Sequence, residues 1–408
     1  MRTCRRAFLK TAGLALAAPL VLSRAARGAE VNLRLQHALP PSDGLQAAFL
    51  VAWASGICEA SGGRLDIQLL PAMQRGGTPW QLTDQVRDSR VDMAWVAASD
   101  SGGQFPRLQA LHLPFVAART SLINSQVAQE LADRHAAAEF PDLQLLIAAA
   151  GDSAVIHATK QIASLAELKG VRLRPPTMLA GEALQALGAV AVSVEDELLP
   201  EAFAQNILDG GAAAWGGAPD SLQELGFHTE IPGSPALCVS TFLLVMNKAR
   251  FAGLPEDLRR VLMERSGLNG ARLAGQSFDA RSAEIAAAAQ ARGSTIVQLA
   301  ADEKARWVEM TKSVVAAWVE RSRARELDGN ALLAETSALF VKYEPPAPPA
   351  PPQPVAPQTV APTGQAPVLQ PGSFTAGTVP PGSSAQPLVA PVGPVPDQLT
   401  PIQPSATP

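Results

Sequence analysis

The chain has 408 residues, with 33 lysines and arginines against 37 aspartates and glutamates and a formal net charge of −4 at neutral pH. That balance leaves no basic field to displace phosphate counterions, which excludes a nucleic-acid partner. A hydrophobic fraction of 47% with 17% charged residues is that of a chain able to bury a sizeable core.

Met1 to Gly28 carries a basic start, an apolar stretch from Leu14 to Leu22 and small residues near Ala25 to Ala29. Together these predict a cleavable export signal over residues 1–29, with cleavage after Ala25, Gly28 or Ala29. Arg5-Arg6-Ala7-Phe8-Leu9-Lys10 fits the twin-arginine pattern, and the apolar stretch is too short to remain as a membrane anchor. The other reading of this segment is a basic amphipathic first helix. Export predicts a soluble periplasmic product that is not membrane-embedded. Removing the six basic residues of the signal leaves 27 basic against 37 acidic, a balance of −10, so an anionic ligand needs a local cationic pocket. Cys58 and Cys238 then remain in an oxidising compartment; one disulfide or two buried thiols are both consistent with their spacing.

Glu30 to Tyr343 alternates strands and helices, the pattern of an α/β fold. Val31 to Gln36 reads as a strand, Leu45 to Ala60 as a helix, Leu65 to Leu70 as a strand, Thr78 to Asp88 as a helix and Val91 to Val96 as a strand. Val171 to Leu173 is a short strand stopped by Pro175-Pro176; Met178 to Leu187 follows as a helix ended by Gly188, then Val190 to Val194 as a strand, and Pro200 opens a helix. Thr241 to Asn247 is an apolar strand, and helices are expected over Leu268 to Arg292, around Trp307 to Arg323 and over Ala331 to Tyr343. From Pro345 to Pro408, 20 of 64 residues are proline and Asp397 is the only charged one, which predicts a disordered, partly polyproline tail.

Arg174 sits at the carboxyl end of its strand, where open α/β sheets place ligands. A planar guanidinium offers two parallel donors to a carboxylate, so an organic acid is the ligand class this position suits. Arg172 shares the same strand face, and spacing alone does not choose between the two. Arg174 has a second reading, a surface salt bridge to Glu195, Asp196 or Glu197.

Several segments resemble the solute-binding proteins of tripartite ATP-independent periplasmic (TRAP) transporters. The resemblance rests on Leu168-Lys169-Gly170-Val171-Arg172-Leu173-Arg174 before proline, Leu187-Gly188-Ala189 and Asp209-Gly210. Ser61-Gly62-Gly63-Arg64, Pro71-Ala72-Met73-Gln74, Leu113-Pro114-Phe115, Met246-Asn247-Lys248 and Leu254-Pro255-Glu256-Asp257 add to it. It implies a two-lobed periplasmic-binding-protein fold with a hinge and an interdomain cleft, with residues 30–150 and 239–343 in one lobe and 151–238 in the other. It also implies an organic-acid ligand, a TRAP membrane permease as partner, no cofactor, no metal and no catalysis, and it selects Arg174 as the carboxylate clamp.

The chain departs from that pattern in ways that bear on the ligand. A second arginine about twenty residues before the motif is absent from Gly151 to Lys160, leaving His157 as the nearest polar substitute or a structural histidine. An asparagine after Asp-Gly is replaced by Ala212-Ala213-Ala214 before Trp215, which reads either as an apolar cleft wall or as core. Trp95 has the same two readings. Gln36 and His37 end the first strand and are candidate hydrogen-bonding groups from that lobe, while Asp209-Gly210 shapes a turn. The site is thus less polar than one for a dicarboxylate or sugar acid, which favours a monocarboxylate with an apolar or aromatic body. The rival classes are an exported enzyme, for which no phosphate loop, nucleophile elbow, C-x-x-C or H-E-x-x-H is present, and a binding protein serving a sensor or scaffold.

Overall fold

The computed structural model describes residues 29–344 apart from Gly102. The expected export signal up to residue 28 and the proline-rich segment from Pro345 lie outside the described residues. Eleven strands run through the described part: β1 (Val31–His37), β2 (Leu65–Leu70), β3 (Met93–Ala97), β4 (Leu143–Ala150), β5 (Val155–Ala158), β6 (Arg172–Arg174), β7 (Val190–Ala191), β8 (Gly210–Ala213), β9 (Phe227–Glu230), β10 (Thr241–Asn247) and β11 (Thr295–Gln298).

They form two sheets, ordered β2-β1-β3-β10-β4 and β11-β9-β5-β8-β6-β7. In the first, β1 is parallel to β2 and β3, and β10 runs antiparallel between β3 and β4. In the second, β6 is parallel to β7 and β8 while β5 is antiparallel to β8 and β9. Both faces of the first sheet are covered. One packs Leu33, Leu35 and Met93 against Phe49, Trp53 and Ile57; the other packs Val96 and Leu243 against Val127, Leu131 and Trp318. Each such fully buried side chain contributes about 1.5–3 kcal/mol. The second sheet has its own core around Ile156, Leu173, Leu184, Ile231 and Trp307.

The chain crosses between sheets at residues 151–154 and 231–240, and these crossings hold each other: Gly151 N–H donates to Ser240 O at 2.8 Å and Ala154 N–H to Cys238 O at 3.0 Å. The 25-residue helix Gly267–Ala291 links the two halves. Its Ala271, Ala274 and Phe278 enter the core of the first sheet, and its Ile285 and Ala289 pack with Val155 and Trp215 in the second. Among the described residues no helix is long and apolar enough to cross a membrane.

Three details differ from the sequence reading, and one alternative that it left open is decided. β11 falls within the 239–343 stretch expected in the first lobe, yet Thr295–Gln298 pairs in parallel with Phe227–Glu230 and joins the second sheet. The strand expected over Val190 to Val194 pairs only at Val190–Ala191. Helix Ser121–Arg134 escapes a periodicity argument because Asn124, Ser125 and Gln129 are buried on its inner side. There Gln129 Oε1 accepts from Ala148 N–H at 2.7 Å and Ser125 Oγ from Ala150 N–H at 3.0 Å, covering the free edge of β4 with side chains. Cys238 is a buried free thiol, so it is not bridged to Cys58, and burial pushes it up to about 12.

Candidate functional site

Between the sheets lies a cavity of about 180 Å³, lined from both lobes, both crossings and the long helix. Its apolar wall comes from Leu45, Val239, Phe242 and Phe278, with Ala154, Ala213 and Ala214 on the side of the second sheet. Its polar side chains are Ser99, Asp152, Arg174, Asp196, Ser240, Arg281 and Ser282.

Arg174 ends β6 because Pro175 and Pro176 offer no amide hydrogen to continue the ladder. The chain then turns at once into helix Met178–Ala186, capped by Thr177 Oγ1, which accepts from Ala180 N–H at 3.1 Å. The guanidinium is four-fifths buried and lies 2.5 Å from Oδ1 of Asp196, whose side chain is half exposed. Arg174 therefore both lines the cavity and holds an ion pair with Asp196, the second of its two expected roles. Arg172 is committed elsewhere: its Nε and Nη2 reach the two oxygens of Asp209 at 2.9 and 2.6 Å. That clamp holds the Asp209 carboxyl below its usual range, so Asp209-Gly210 serves the strand pairing and not the cavity.

The small residues of β8 and the following turn are needed for close approach. A Cβ on Gly216 would stand 3.0 Å from Ser282 N and Oγ, and the Gly216 amide donates to Ser282 Oγ at 2.8 Å. Ser282 in turn bonds Asp152 Oδ1 at 3.0 Å. Burial raises the Asp152 carboxyl to about 7, partly countered by the Ser282 bond, with Asp279 and Arg119 acting in opposite senses.

The other expected site residues do not line the cavity. Trp215 turns away from it: the indole is buried against His157, His228 and Ile285, and its N–H donates to Glu230 Oε1 at 2.8 Å. Trp95 stands one layer behind the wall, stacked on Phe242 at 5.6 Å and edge-on to Phe278 at 6.4 Å. His157 lies beneath the floor, with Nε2 3.1 Å from Ala213 O and Nδ1 2.9 Å from His228 Nδ1. The carbonyl can only accept, so His157 carries its proton on Nε2 and accepts from His228 Nδ1–H. Burial keeps both rings neutral, at about 3 and about 4. Gln36 is used by the first lobe itself, accepting from Arg75 N–H at 2.7 Å and donating to Gln85. His37 is fully buried and held near 4 by desolvation.

Sequence reasoning missed Asp152, Phe242, Phe278, Arg281 and Ser282. Three of them had a legible signal, since positions 278, 281 and 282 share one face of a predicted helix.

Residues 35–322 match the family described as bacterial extracellular solute-binding protein, family 7 (DctP). The chain belongs to this family. Its members are the extracytoplasmic solute receptors of TRAP transporters, and the two-lobed fold with its intervening cleft is theirs. A TRAP solute-binding protein from a marine metagenome, an unidentified microbe, is 32% identical with a TM-score of 0.74; the match covers 78% of this chain and 100% of that one. It is described as specific for aromatic acid ligands and holds 3-hydroxybenzoate. The Rhodoferax ferrireducens T118 TRAP protein with copurified benzoate is 34% identical, with a TM-score of 0.73 over 77% of this chain and 98% of that one. A Bordetella bronchiseptica TRAP protein with bound (R)- and (S)-mandelate is 26% identical, with a TM-score of 0.68 over 76% and 99% of the two chains. No curated protein matches the chain.

Proposed function

We propose that this DctP-family receptor binds an aromatic or arylaliphatic monocarboxylate in the periplasm and delivers it to a TRAP membrane permease. The observation that carries this reading is Arg174 at the end of β6 in a cavity walled by Phe242 and Phe278. The guanidinium supplies two donors for a carboxylate, and the aromatic wall offers offset or edge contacts to a ring. A carboxylate at Arg174 with a ring against Phe242 and Phe278 suits a monocarboxylate; a sugar acid would turn hydroxyls toward that aromatic wall. The benzoate and hydroxybenzoate bound by the two similar receptors support the same class. The export signal with Arg5-Arg6 accounts for delivery to the periplasm, and a cleaved, soluble mature protein is part of the proposal.

Mass spectrometry of the small molecules released on denaturing protein purified from a periplasmic fraction tests it. An aromatic or arylaliphatic monocarboxylic acid at near-stoichiometric amount is expected. A dicarboxylate or sugar acid in its place overturns the assignment of ligand class.

A further inference from the structure

Ser282 is the point where the long helix, the second lobe and the crossing at 151–154 meet. Its hydroxyl accepts from Gly216 N–H at 2.8 Å and donates to Asp152 Oδ1 at 3.0 Å. A hydroxyl has a single proton to give, so these two bonds fix both its own rotor and the direction of the Asp152 carboxyl. Asp152 lines the cavity. Among the described residues no cation pairs with it within 4 Å; Arg119 and Asp279 are the charged groups that act on it from neighbouring elements, with opposite signs.

An acidic side chain on the wall of an anion receptor is unfavourable for a plain carboxylate, because like charges repel and desolvation adds to the cost. It becomes favourable when the ligand brings a proton donor of its own. A carboxyl group oriented through one oxygen keeps acceptor sites on the other, and a hydroxyl on the ligand is the donor that fits beside an apolar ring.

We propose that Asp152, oriented by Ser282, is a specificity residue that accepts a hydrogen bond from a ligand hydroxyl, so that the receptor prefers hydroxylated aromatic monocarboxylates over unsubstituted ones. The inference rests on the proposed function and narrows its substrate class. Either protonation state serves it: the carboxylate accepts with both oxygens, and the acid retains a carbonyl acceptor. Arg174 and Asp152 then divide the work, one reading the carboxylate and the other the substituent.

Calorimetric titration of the full mature chain with benzoate and with the three hydroxybenzoate isomers tests the assignment. At pH 8, above the value of about 7 to which burial raises the Asp152 carboxyl, the best isomer is expected to bind at least about tenfold more tightly than benzoate, the strength of a hydrogen bond to a charged group. Asp152→Ala is expected to bring that ratio to within about twofold, the group that senses the hydroxyl having been removed. Asp152→Asn, which keeps the shape and an acceptor for Ser282, provides the test should the alanine variant not fold; it is expected to cut the ratio at least about threefold, a neutral acceptor being roughly half as strong. An unchanged ratio in the variants, or a wild type that binds all four acids alike, overturns the hydroxyl assignment and leaves the receptor class standing. A wild type that binds none of the four overturns the aromatic-acid reading and this inference with it.

Discussion

Arg174 enters the cavity between the sheets already paired, with Nη2 2.5 Å from Oδ1 of Asp196. Asp196 is half exposed, so water screens its side of the pair, and the desolvation that raises its carboxyl offsets part of the attraction, leaving a contribution of about 1 kcal/mol. A carboxylate arriving from the cavity can therefore share or take over the guanidinium at little cost. Removing the competing charge is expected to strengthen anion binding: Asp196→Asn should tighten benzoate by about fivefold, the equivalent of ~1 kcal/mol. Weaker binding in that variant, measured by calorimetry, would mean that Asp196 orients Arg174 instead of competing for it.

Asp152 makes binding depend on pH. Burial lifts its carboxyl from the usual 3.8 to about 7, and a bound anion nearby raises it further, so binding is accompanied by proton uptake. Affinity for benzoate is expected to fall as pH rises from about 6 to about 8, and Asp152→Asn should abolish most of that slope. Folding stability follows the same sign. The folded state binds this proton more tightly than the unfolded chain, so the group's contribution becomes less favourable between about pH 4 and about pH 7 and is constant above. A Kd that is flat with pH in the wild type contradicts this part of the account.

Gly210 is required by backbone proximity. A Cβ there would lie 2.1 Å from the carbonyl oxygen of His157 and 2.9 Å from Ala158 Cα, main-chain atoms of the adjoining strand that cannot rotate away. Gly210→Ala is expected to cost at least about 2 kcal/mol through overpacking, seen as a drop in Tm by calorimetry. Gly226→Ala is the comparison, because its Cβ would meet nothing within 4 Å. Equal Tm values for the two variants would show that β5 and β8 can separate without loss.

Arg174 was legible in the sequence because its position is set by local chemistry: a short strand, two prolines and a helix cap fix where it ends. The alternation of strands and helices was legible for the same reason. Distance in sequence hid the rest of the cavity. Asp152 lies in a crossing with no periodicity, and Ser282 is 130 residues away on a helix whose small residues suggest only packing. The tryptophans show why size and hydrophobicity did not locate the wall. Trp95 and Trp215 are buried in the core, Trp215 giving its N–H to Glu230, and the aromatic lining of the cavity comes from Phe242 and Phe278. Helix Ser121–Arg134 was obscured by polar residues that belong inside, where they serve the edge of β4.

The carboxylate clamp is tested most directly by calorimetry of Arg174→Ala beside Arg172→Ala, titrated with benzoate or with the acid identified from the purified protein. Arg174→Ala leaves the ligand carboxylate without its partner and Asp196 without its neutralising charge, so binding should weaken at least about thirtyfold, within the 2–5 kcal/mol typical of such truncations. Arg174→Lys should recover part of the loss, since an ammonium restores charge without the planar fork. Arg172→Ala should lower stability by freeing Asp209 while leaving the Kd within a few-fold of wild type. Normal affinity in Arg174→Ala would contradict the account.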